Sequence, residues 1–327
     1  MHIRDIGLGC DPPYLDHRLA SLERMLSDFA GFGYRLVELD VAFLGVVIDG
    51  RLRQAQVDRI AAVLRGFDLR YSVHGLERLN LAYDPRHVLV CDIMRAQIEF
   101  CRAIGATMLV CHSGLQALDD ARRGVRRRLL SNDELAAGAA REVAALQALA
   151  PIAADAGVTI GVENGDPHLW EYNVLHQFGL GPEALTRHHA RLLIPAVVGQ
   201  LAAVDHPSVG LTLDLAHLFL AAEAVGFDYL EAVGQAAPWV RHLHVNDNFG
   251  RLDRGVDQER ERWALGEADI HLPPGWGAIP LREAFARLPD YAGDLILEIK
   301  PGFYDDLPEA LAATQALVAA ANDPEGR

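Results

Sequence analysis

The feature that most constrains this chain is a set of short apolar runs that each end on a metal-type side chain. The run at 209–213, V-G-L-T-L, is followed at once by Asp214. Burying an unpaired carboxylate costs several kcal/mol, so a strand that ends in one needs a partner there. Equivalent strand ends carry His74, His112, Glu163, His244 and Glu298. Divalent cations are the natural partner of converging Asp, Glu and His side chains.

The order of the elements predicts where these ends meet. Eight apolar strands alternate with helices, and we place the strands at 3–10, 35–40, 69–74, 107–112, 158–163, 209–214, 240–245 and 294–299. Continuous apolar strands are typical of a parallel sheet that is buried on both faces. Eight such units predict a (β/α)8 TIM barrel, formed as one α/β domain over residues 1–327. The strand ends then converge at the carboxyl face of the barrel, where active sites lie.

Two long loops are predicted on that same face, after strands five and seven. They span 164–208 and 246–280. Loops of this length within a compact domain are usually functional.

Composition and sequence pattern argue against nucleic-acid and membrane partners and predict where the protein is located. The 327 residues carry a net charge of −15, which disfavours duplex nucleic acid and anionic membranes. No apolar stretch approaches the length of about 18 residues that a membrane span needs. The N-terminus shows no signal-peptide pattern. The cysteines Cys10, Cys91, Cys101 and Cys111 show no C-x-x-C spacing and are expected to be reduced, mostly buried thiols of a cytoplasmic protein.

Three further residues are candidate ligands. His217 lies one helical turn beyond Asp214, and Asp269 with His271 forms an Asp-x-His pair. If that pair is extended, its two side chains point the same way and can chelate one ion. Lys300, two residues after Glu298, is expected to be structural.

The remaining site candidates are expected to contact substrate. They neighbour the ligand positions or lie in the two long loops. They are Asn80, Asn164, His168, Trp170, Asn246 and Trp276. Asn80 and Asn164 have the alternative role of supporting the ligands.

These motifs together resemble the xylose isomerase-like barrel superfamily, over about residues 3–300. That superfamily includes sugar-phosphate isomerases and epimerases, and the endonuclease IV type of apurinic endonuclease. The matching segments are His74 with Asn80-Leu81, C-H-S-G at His112, V-E-N at Glu163, L-D-L-A-H at Asp214 and His217, H-L-H-V-N-D at His244, D-I-H-L-P-P-G-W-G at Asp269 and His271, and L-E at Glu298.

The resemblance implies two alternative metal sites. In the isomerases and epimerases, one divalent ion is held by the equivalents of Glu163, Asp214, His244 and Glu298, and the two glutamates shuttle a proton. In the endonuclease type there are three zinc ions. His74 and His112 join Glu163 at the first, Glu163, Asp214, His244 and Glu298 serve the second, and His217, Asp269 and His271 hold the third. All nine positions are filled here, so one to three ions of Mn, Zn, Mg, Co or Fe are expected.

One departure argues against DNA repair. The endonuclease type has an alanine-glycine-glutamine-glycine run soon after its strand-five glutamate. This chain has E-N-G-D-P-H at 163–168, followed by a long insertion. The acidic net charge argues in the same direction, because neutralising phosphates supplies most non-specific affinity for DNA.

Three functional hypotheses remain. The first is a metal-dependent sugar or sugar-phosphate isomerase or epimerase, in which Glu163 and Glu298 transfer a proton through an enediolate. The second is a multinuclear hydrolase of a small phosphodiester or nucleotide-like substrate. The third is a metal-stabilised barrel that binds a ligand without catalysis. The expected partners are a small carbohydrate or phosphorylated molecule and, as an open alternative, further copies of this chain.

Overall fold

Eight parallel strands close into a barrel in a computed structural model, which describes residues 1–10, 18–255 and 259–323, except the side chains of Cys10 and Glu259. Each strand pairs with its neighbours in sequence, and the last pairs with the first. The strands are β1 His2–Cys10, β2 Leu36–Asp40, β3 Arg70–His74, β4 Met108–His112, β5 Thr159–Glu163, β6 Val209–Asp214, β7 Val240–Val245 and β8 Ala292–Leu297. The predicted α/β barrel is confirmed.

Helices surround the barrel. The labelled ones are α1 Leu19–Phe32, α2 Gln54–Leu64, α3 His87–Ile104, α4 Asn132–Asp155, α5 Leu169–Gln177, α6 Ile194–Val204, α7 Leu215–Val225, α8 Tyr229–Ala236, α9 Leu281–Ala286 and α10 Leu307–Asn322. Short helices lie at Val41–Leu44, Asp119–Arg122, Leu185–His188 and Glu259–Leu265, with 3₁₀ turns at Pro182–Ala184, Ala190–Leu192, Ala237–Trp239 and Pro301–Asp306. A two-residue hairpin pairs Val47–Ile48 with Arg51–Leu52.

Local sequence accounts for the helix positions. In α1 the buried residues Leu22, Leu26 and Phe29 recur at helical spacing and face the barrel. At the start of α4, Ser131 Oγ accepts from the backbone N–H of Glu134 at 3.3 Å, and Glu134 Oε2 accepts from that of Ser131 at 2.9 Å. This capping box satisfies backbone donors that would otherwise have no partner at the helix end.

The strand register places the polar strand ends at one level. Asp40 pairs with His74, His112 with Glu163, and Asp214 with His244 across adjacent parallel strands. Because these strands are parallel, their carboxyl ends form one face of the barrel. Large apolar side chains fill the space between barrel and helices, so the polar side chains are gathered at that face.

The two segments predicted as long loops contain helices to different extents. Residues 164–208 contain α5 and α6, and 246–280 contains the helix Glu259–Leu265. The first segment packs around an apolar cluster that it shares with neighbouring elements. That cluster comprises Leu118, Val174, Leu175, Leu185, Leu192 and Ala221, all buried. The segment after β5 is therefore a folded insertion, whereas most described residues of 246–280 lie outside helices.

Two smaller expectations concern cysteines and membranes. Cys91, Cys101 and Cys111 are unpaired, and Cys101 and Cys111 are buried. The side chain of Cys10 lies outside the described residues.

Among the helices that the structure describes, none combines the length and the apolar character that crossing a membrane requires.

Candidate metal centre

Four predicted ligands converge at the carboxyl face of the barrel. Glu163, Asp214, His244 and Glu298 come from β5, β6, β7 and the residue just beyond β8, and each can offer a ligand atom within 4.8 Å of the others. His244 Nδ1 lies 3.2 Å from Glu163 Oε1 and 3.3 Å from Glu298 Oε1. Two glutamates from strands on either side of His244 therefore approach the same nitrogen.

The two carboxylate oxygens of Asp214 have different roles, one in the fold and one in the candidate site. Oδ1 accepts the backbone N–H of His217 at 2.6 Å and so caps α7. Oδ2 is buried and has no hydrogen-bond partner among the described residues. Burial raises the pKa of Asp214 to about 7, with the nearby Glu298 carboxylate acting in the same direction. An unpaired buried oxygen and excess negative charge are what a divalent cation would satisfy, so this residue set fits such an ion.

A second group of candidate ligands lies next to the other carboxylate oxygen of Glu163. His112 Nε2 lies 2.9 Å and His74 Nε2 3.7 Å from Glu163 Oε2. These three residues also offer ligand atoms within 4.8 Å of one another. Glu163 thus lies between two groups of candidate ligands, with one oxygen directed to each.

Asp269 joins the two remaining histidines. Its Oδ2 lies 3.4 Å from His217 Nε2 and 2.5 Å from His271 Nε2. The Asp-x-His segment is not extended as predicted, because His271 has a φ of 47°, in the left-handed region. His271 Nδ1 lies 2.8 Å from the carbonyl oxygen of Glu298, which directs Nε2 toward Asp269. The two side chains therefore converge through a local turn instead of through strand alternation.

A cavity of about 380 Å³ opens above these residues. Of the predicted substrate contacts, Asn80, His168 and Trp170 line it. The rings of His168 and Trp170 stack at 5.9 Å, and the Arg122 guanidinium lies 4.5 Å from the Trp170 ring. Asn80 Oδ1 accepts the backbone N–H groups of residues 82 and 83, so its carbonyl oxygen stabilises its own loop.

Three other predicted substrate contacts are not among the residues that line this cavity. Asn164 bridges β5 and β6, since it donates to the carbonyl oxygen of Asp214 and accepts the N–H of Asp214, both at 2.9 Å. Asn246 is fully buried beside His271, with Nδ2 to Nδ1 at 3.4 Å. Trp276 packs its ring against Phe303. Substrate contact by these three residues stays a prediction, and the contacts of Asn164 are those of its alternative supporting role.

Other residues that the sequence did not indicate also line the cavity. Lys300 lines it, contrary to expectation, because residues i and i+2 of an extended segment share a face. Asp166 and Arg191 in the insertion after β5 line it as well. Glu38 was not predicted, because it lies within the apolar strand L-V-E-L-D and not at its end, where the other candidate ligands lie.

Glu38 contacts the Nε2 side of the His244 ring. Its Oε1 lies 2.8 Å from His244 Nε2, and its Oε2 accepts from Ser72 Oγ at 2.8 Å and lies 2.9 Å from His242 Nε2. His244 Nε2 thus lies beside the Glu38 carboxylate, while Nδ1 faces the four-ligand group of Glu163, Asp214, His244 and Glu298. A carboxylate behind a ligating histidine fixes the ring and raises its basicity.

We expect Glu38→Gln to weaken binding of a divalent cation by about 10- to 100-fold with the fold retained, because the histidine loses its anionic partner. The dissociation constants of Mn²⁺ and Zn²⁺, measured by calorimetric titration of metal-depleted protein, test this. Ser72→Ala is the matched control, since it removes a neutral donor from the same carboxylate and should have a smaller effect. Equal constants for Glu38→Gln and the unaltered protein would contradict the role of Glu38.

Comparison with known proteins identifies the fold. A family model described as the xylose isomerase-like TIM barrel matches residues 26–318. No sequence among the curated proteins matches this chain. A D-tagatose 3-epimerase-like protein is 17% identical with a TM-score of 0.69, covering 97% of this chain and 98% of that one.

Two further solved structures are similar. D-psicose 3-epimerase with D-tagatose from Clostridium cellulolyticum H10 is 14% identical, with a TM-score of 0.66 and coverage of 96% and 99%. A xylose isomerase-like TIM barrel protein from Mycobacterium smegmatis in complex with magnesium is 16% identical, with a TM-score of 0.66 and coverage of 97% of each chain. At such identities the likeness shows the fold alone. The family match covers most of the residues, and the chain therefore belongs to the xylose isomerase-like TIM barrel family.

Proposed function

We propose that this protein is a divalent-metal-dependent epimerase or isomerase of a sugar or sugar derivative. The observation that carries the proposal is the four-ligand group, in which Glu163 and Glu298 both approach Nδ1 of His244, at 3.2 and 3.3 Å. Similar solved structures include epimerases that act on ketoses, as their names state, and one that holds magnesium. The cavity of about 380 Å³ suits a monosaccharide.

The proposed chemistry is a proton transfer next to a carbonyl. A divalent cation held by the four-ligand group would polarise the carbonyl and its adjacent hydroxyl, and so would lower the energy of an enediolate. One glutamate takes the proton from the carbon beside the carbonyl, and its electron pair forms the enediolate double bond. The other glutamate then donates a proton to the opposite face of that carbon, which inverts it.

Both glutamates line the cavity, as the proposed proton transfer requires. The side chain of Glu163 is 1% exposed and that of Glu298 is 18% exposed. We propose His217 as a substrate contact because it lies in the cavity wall between Glu163 and Asp269. The stacked rings of His168 and Trp170 offer an apolar surface for one face of a sugar.

The experiment that tests this proposal is solvent exchange. The protein, purified with the metal it retains, is incubated with ketohexoses, ketopentoses and their phosphates in D₂O. We expect deuterium at the carbon beside the carbonyl of at least one sugar, with its epimer or isomer, by proton NMR. Absence of deuterium from every sugar, with metal bound, would count against the proposed function.

A second candidate function is hydrolysis of a small phosphodiester or nucleotide-like molecule. It is favoured by His74 and His112 on the second oxygen of Glu163 and by Asp269 between two histidines, which together would accommodate more than one ion. Two or three metal ions per chain by plasma mass spectrometry, with turnover of bis(p-nitrophenyl) phosphate, would support it. One ion per chain with deuterium exchange would support the epimerase or isomerase.

A further inference from the structure

A buried arginine lies in the cavity wall, outside the four-ligand group. Arg191 is 6% exposed and lines the cavity. Its Nε donates to His189 Nε2 at 2.7 Å. His189 Nδ1 in turn lies 2.8 Å from Glu171 Oε1, and both of these side chains are fully buried. The relay from Glu171 through His189 to Arg191 therefore runs from the insertion after β5 to the cavity.

The protonation states along this relay follow from the donors. A guanidinium can only donate, so His189 Nε2 accepts and the ring proton is on Nδ1, the nitrogen 2.8 Å from Glu171 Oε1. Burial lowers the pKa of His189, and the charge of Arg191 acts in the same direction, so the ring is neutral. Burial alone would raise the pKa of Glu171, but His189 and the backbone N–H of His168, at 2.9 Å, lower it on balance. The relay thus offers Arg191 a neutral acceptor, with the anion one residue farther away.

The guanidinium has no direct counter-charge. In the described part of the chain, His189 is the one side chain with which Arg191 forms a hydrogen bond, and no carboxylate oxygen lies within 4.0 Å of its nitrogens. Two other carboxylates that feel its charge have contacts elsewhere. Asp166 lies 3.4 Å from His168 Nδ1, and Glu142 accepts the N–H of Gly114 at 2.6 Å. A neutral acceptor satisfies one N–H, and the two carboxylates that feel the charge do not contact the guanidinium, so the buried positive charge has room for an anion in direct contact.

Arg191 is also fixed relative to the candidate metal centre. The backbone N–H of Gly165, two residues beyond Glu163, donates to the carbonyl oxygen of Arg191 at 3.1 Å. A Cβ on Gly165 would lie 2.7 Å from Arg191 Cγ and from His189 Nε2, so only glycine permits this approach. The segment that carries Glu163 therefore holds the arginine side chain in place at the cavity wall.

We propose that Arg191 binds an oxyanion carried by the substrate, a phosphate or a carboxylate, and that the protein thereby selects an acidic sugar. The guanidinium presents a planar fork of N–H donors that matches two oxygens of such a group, and Arg191 has both Nη groups available for it. That the ligand is a sugar rests on the proposed function, whereas the oxyanion site rests on Arg191 alone. Glu171 and His189 act as positioning residues that set the direction of the fork.

The test compares three ligands of one carbon skeleton. D-tagatose, D-tagatose 6-phosphate and D-tagaturonate carry at carbon six a hydroxymethyl, a phosphate ester and a carboxylate. Calorimetry on the metal-containing protein gives their dissociation constants. We expect at least one anionic ligand to bind about 10- to 100-fold more tightly than D-tagatose, the range of a charge-assisted bidentate contact. The anionic ligand that binds more tightly than D-tagatose identifies whether the oxyanion is a phosphate or a carboxylate.

Arg191→Gln should reduce that preference to near unity, and its melting temperature, compared with that of the unaltered protein, shows that the variant is folded. Arg78→Gln is the matched control, because Arg78 is an exposed cation of the same cavity and its loss should preserve the preference. Equal affinity for all three ligands in the unaltered protein, or a preference that survives Arg191→Gln, overturns the inference.

If no sugar binds, the proposed function fails and inorganic phosphate becomes the ligand. Phosphate that binds the unaltered protein and the Arg78→Gln variant, but binds Arg191→Gln at least about tenfold more weakly, supports the oxyanion site by itself. Phosphate that binds all three proteins equally, or none of them, overturns it.

Discussion

Glu163→Gln and Glu298→Gln are each expected to reduce kcat by about 10³-fold or more, with the barrel intact. General acid–base catalysis contributes about 10²- to 10⁴-fold, and an amide can neither accept nor return the proton. Each change also removes one negative charge from the four-ligand group. The measurement is the rate of epimerisation or isomerisation of the sugar identified by solvent exchange, with melting temperature and metal content determined for each variant.

The single variants should separate the two halves of the reaction. A protein that retains one functional glutamate is expected to exchange the proton of one epimer with D₂O without inverting the carbon, provided that metal remains bound. Glu283→Gln is the control, because it makes the same chemical change at an exposed position on α9. If both active-site variants retain rates close to that of the control, the proposed roles of Glu163 and Glu298 are wrong.

Removing the metal is expected to abolish turnover and to make stability depend on pH. In the cation-free protein, burial and neighbouring carboxylates raise the pKa of Asp214 to about 7, above the value of about 4 in an unfolded chain. The folded state then binds more protons than the unfolded state between these values, so stability falls as pH rises from about 4 to about 7. Burial alone would lower the pKa of His74, but Glu163 raises it to about 10. The stability that His74 contributes is therefore lost as pH rises from about 6.5 toward 10.

A bound cation should remove most of this dependence, because it replaces the protons as the partner of the carboxylates. Melting temperatures at pH 5, 7 and 9, with and without chelator, measure the effect. We expect the chelated protein to melt at a progressively lower temperature as pH rises, and activity to return on addition of Mn²⁺, Zn²⁺, Mg²⁺ or Co²⁺. A chelated protein that becomes more stable with pH over this range, or that retains activity, would contradict the assignment of the centre.

The placement of the strand-end ligands could be predicted because it depends only on local pattern and strand order. Asp214 follows an apolar run directly, and parallel strands bring every carboxyl end to one face. Strand-end position does not indicate Glu38, which lies within an apolar strand and contacts His244 from inside the barrel.

Side-chain direction within the segments between strands could not be predicted. Trp276 and Trp170 are both tryptophans in long connections, but Trp170 lines the cavity and Trp276 packs on Phe303. His271 meets Asp269 through a left-handed backbone turn that no spacing rule indicates. These outcomes depend on packing between segments that are distant in sequence.

For this protein, sequence alone determined the barrel and the candidate ligands on its strand ends, because hydrophobic periodicity and strand order are properties of neighbouring residues. Tertiary structure decided which oxygen of Glu163 faces which histidines, and that Arg191 contacts His189 in the cavity wall. The contacts of Glu163 form when strands distant in sequence meet in the barrel, and that of Arg191 forms when the insertion after β5 folds. The physical reason is that a strand end is placed by its own strand, whereas the direction of a side chain in a connection is set by the partners it meets after folding.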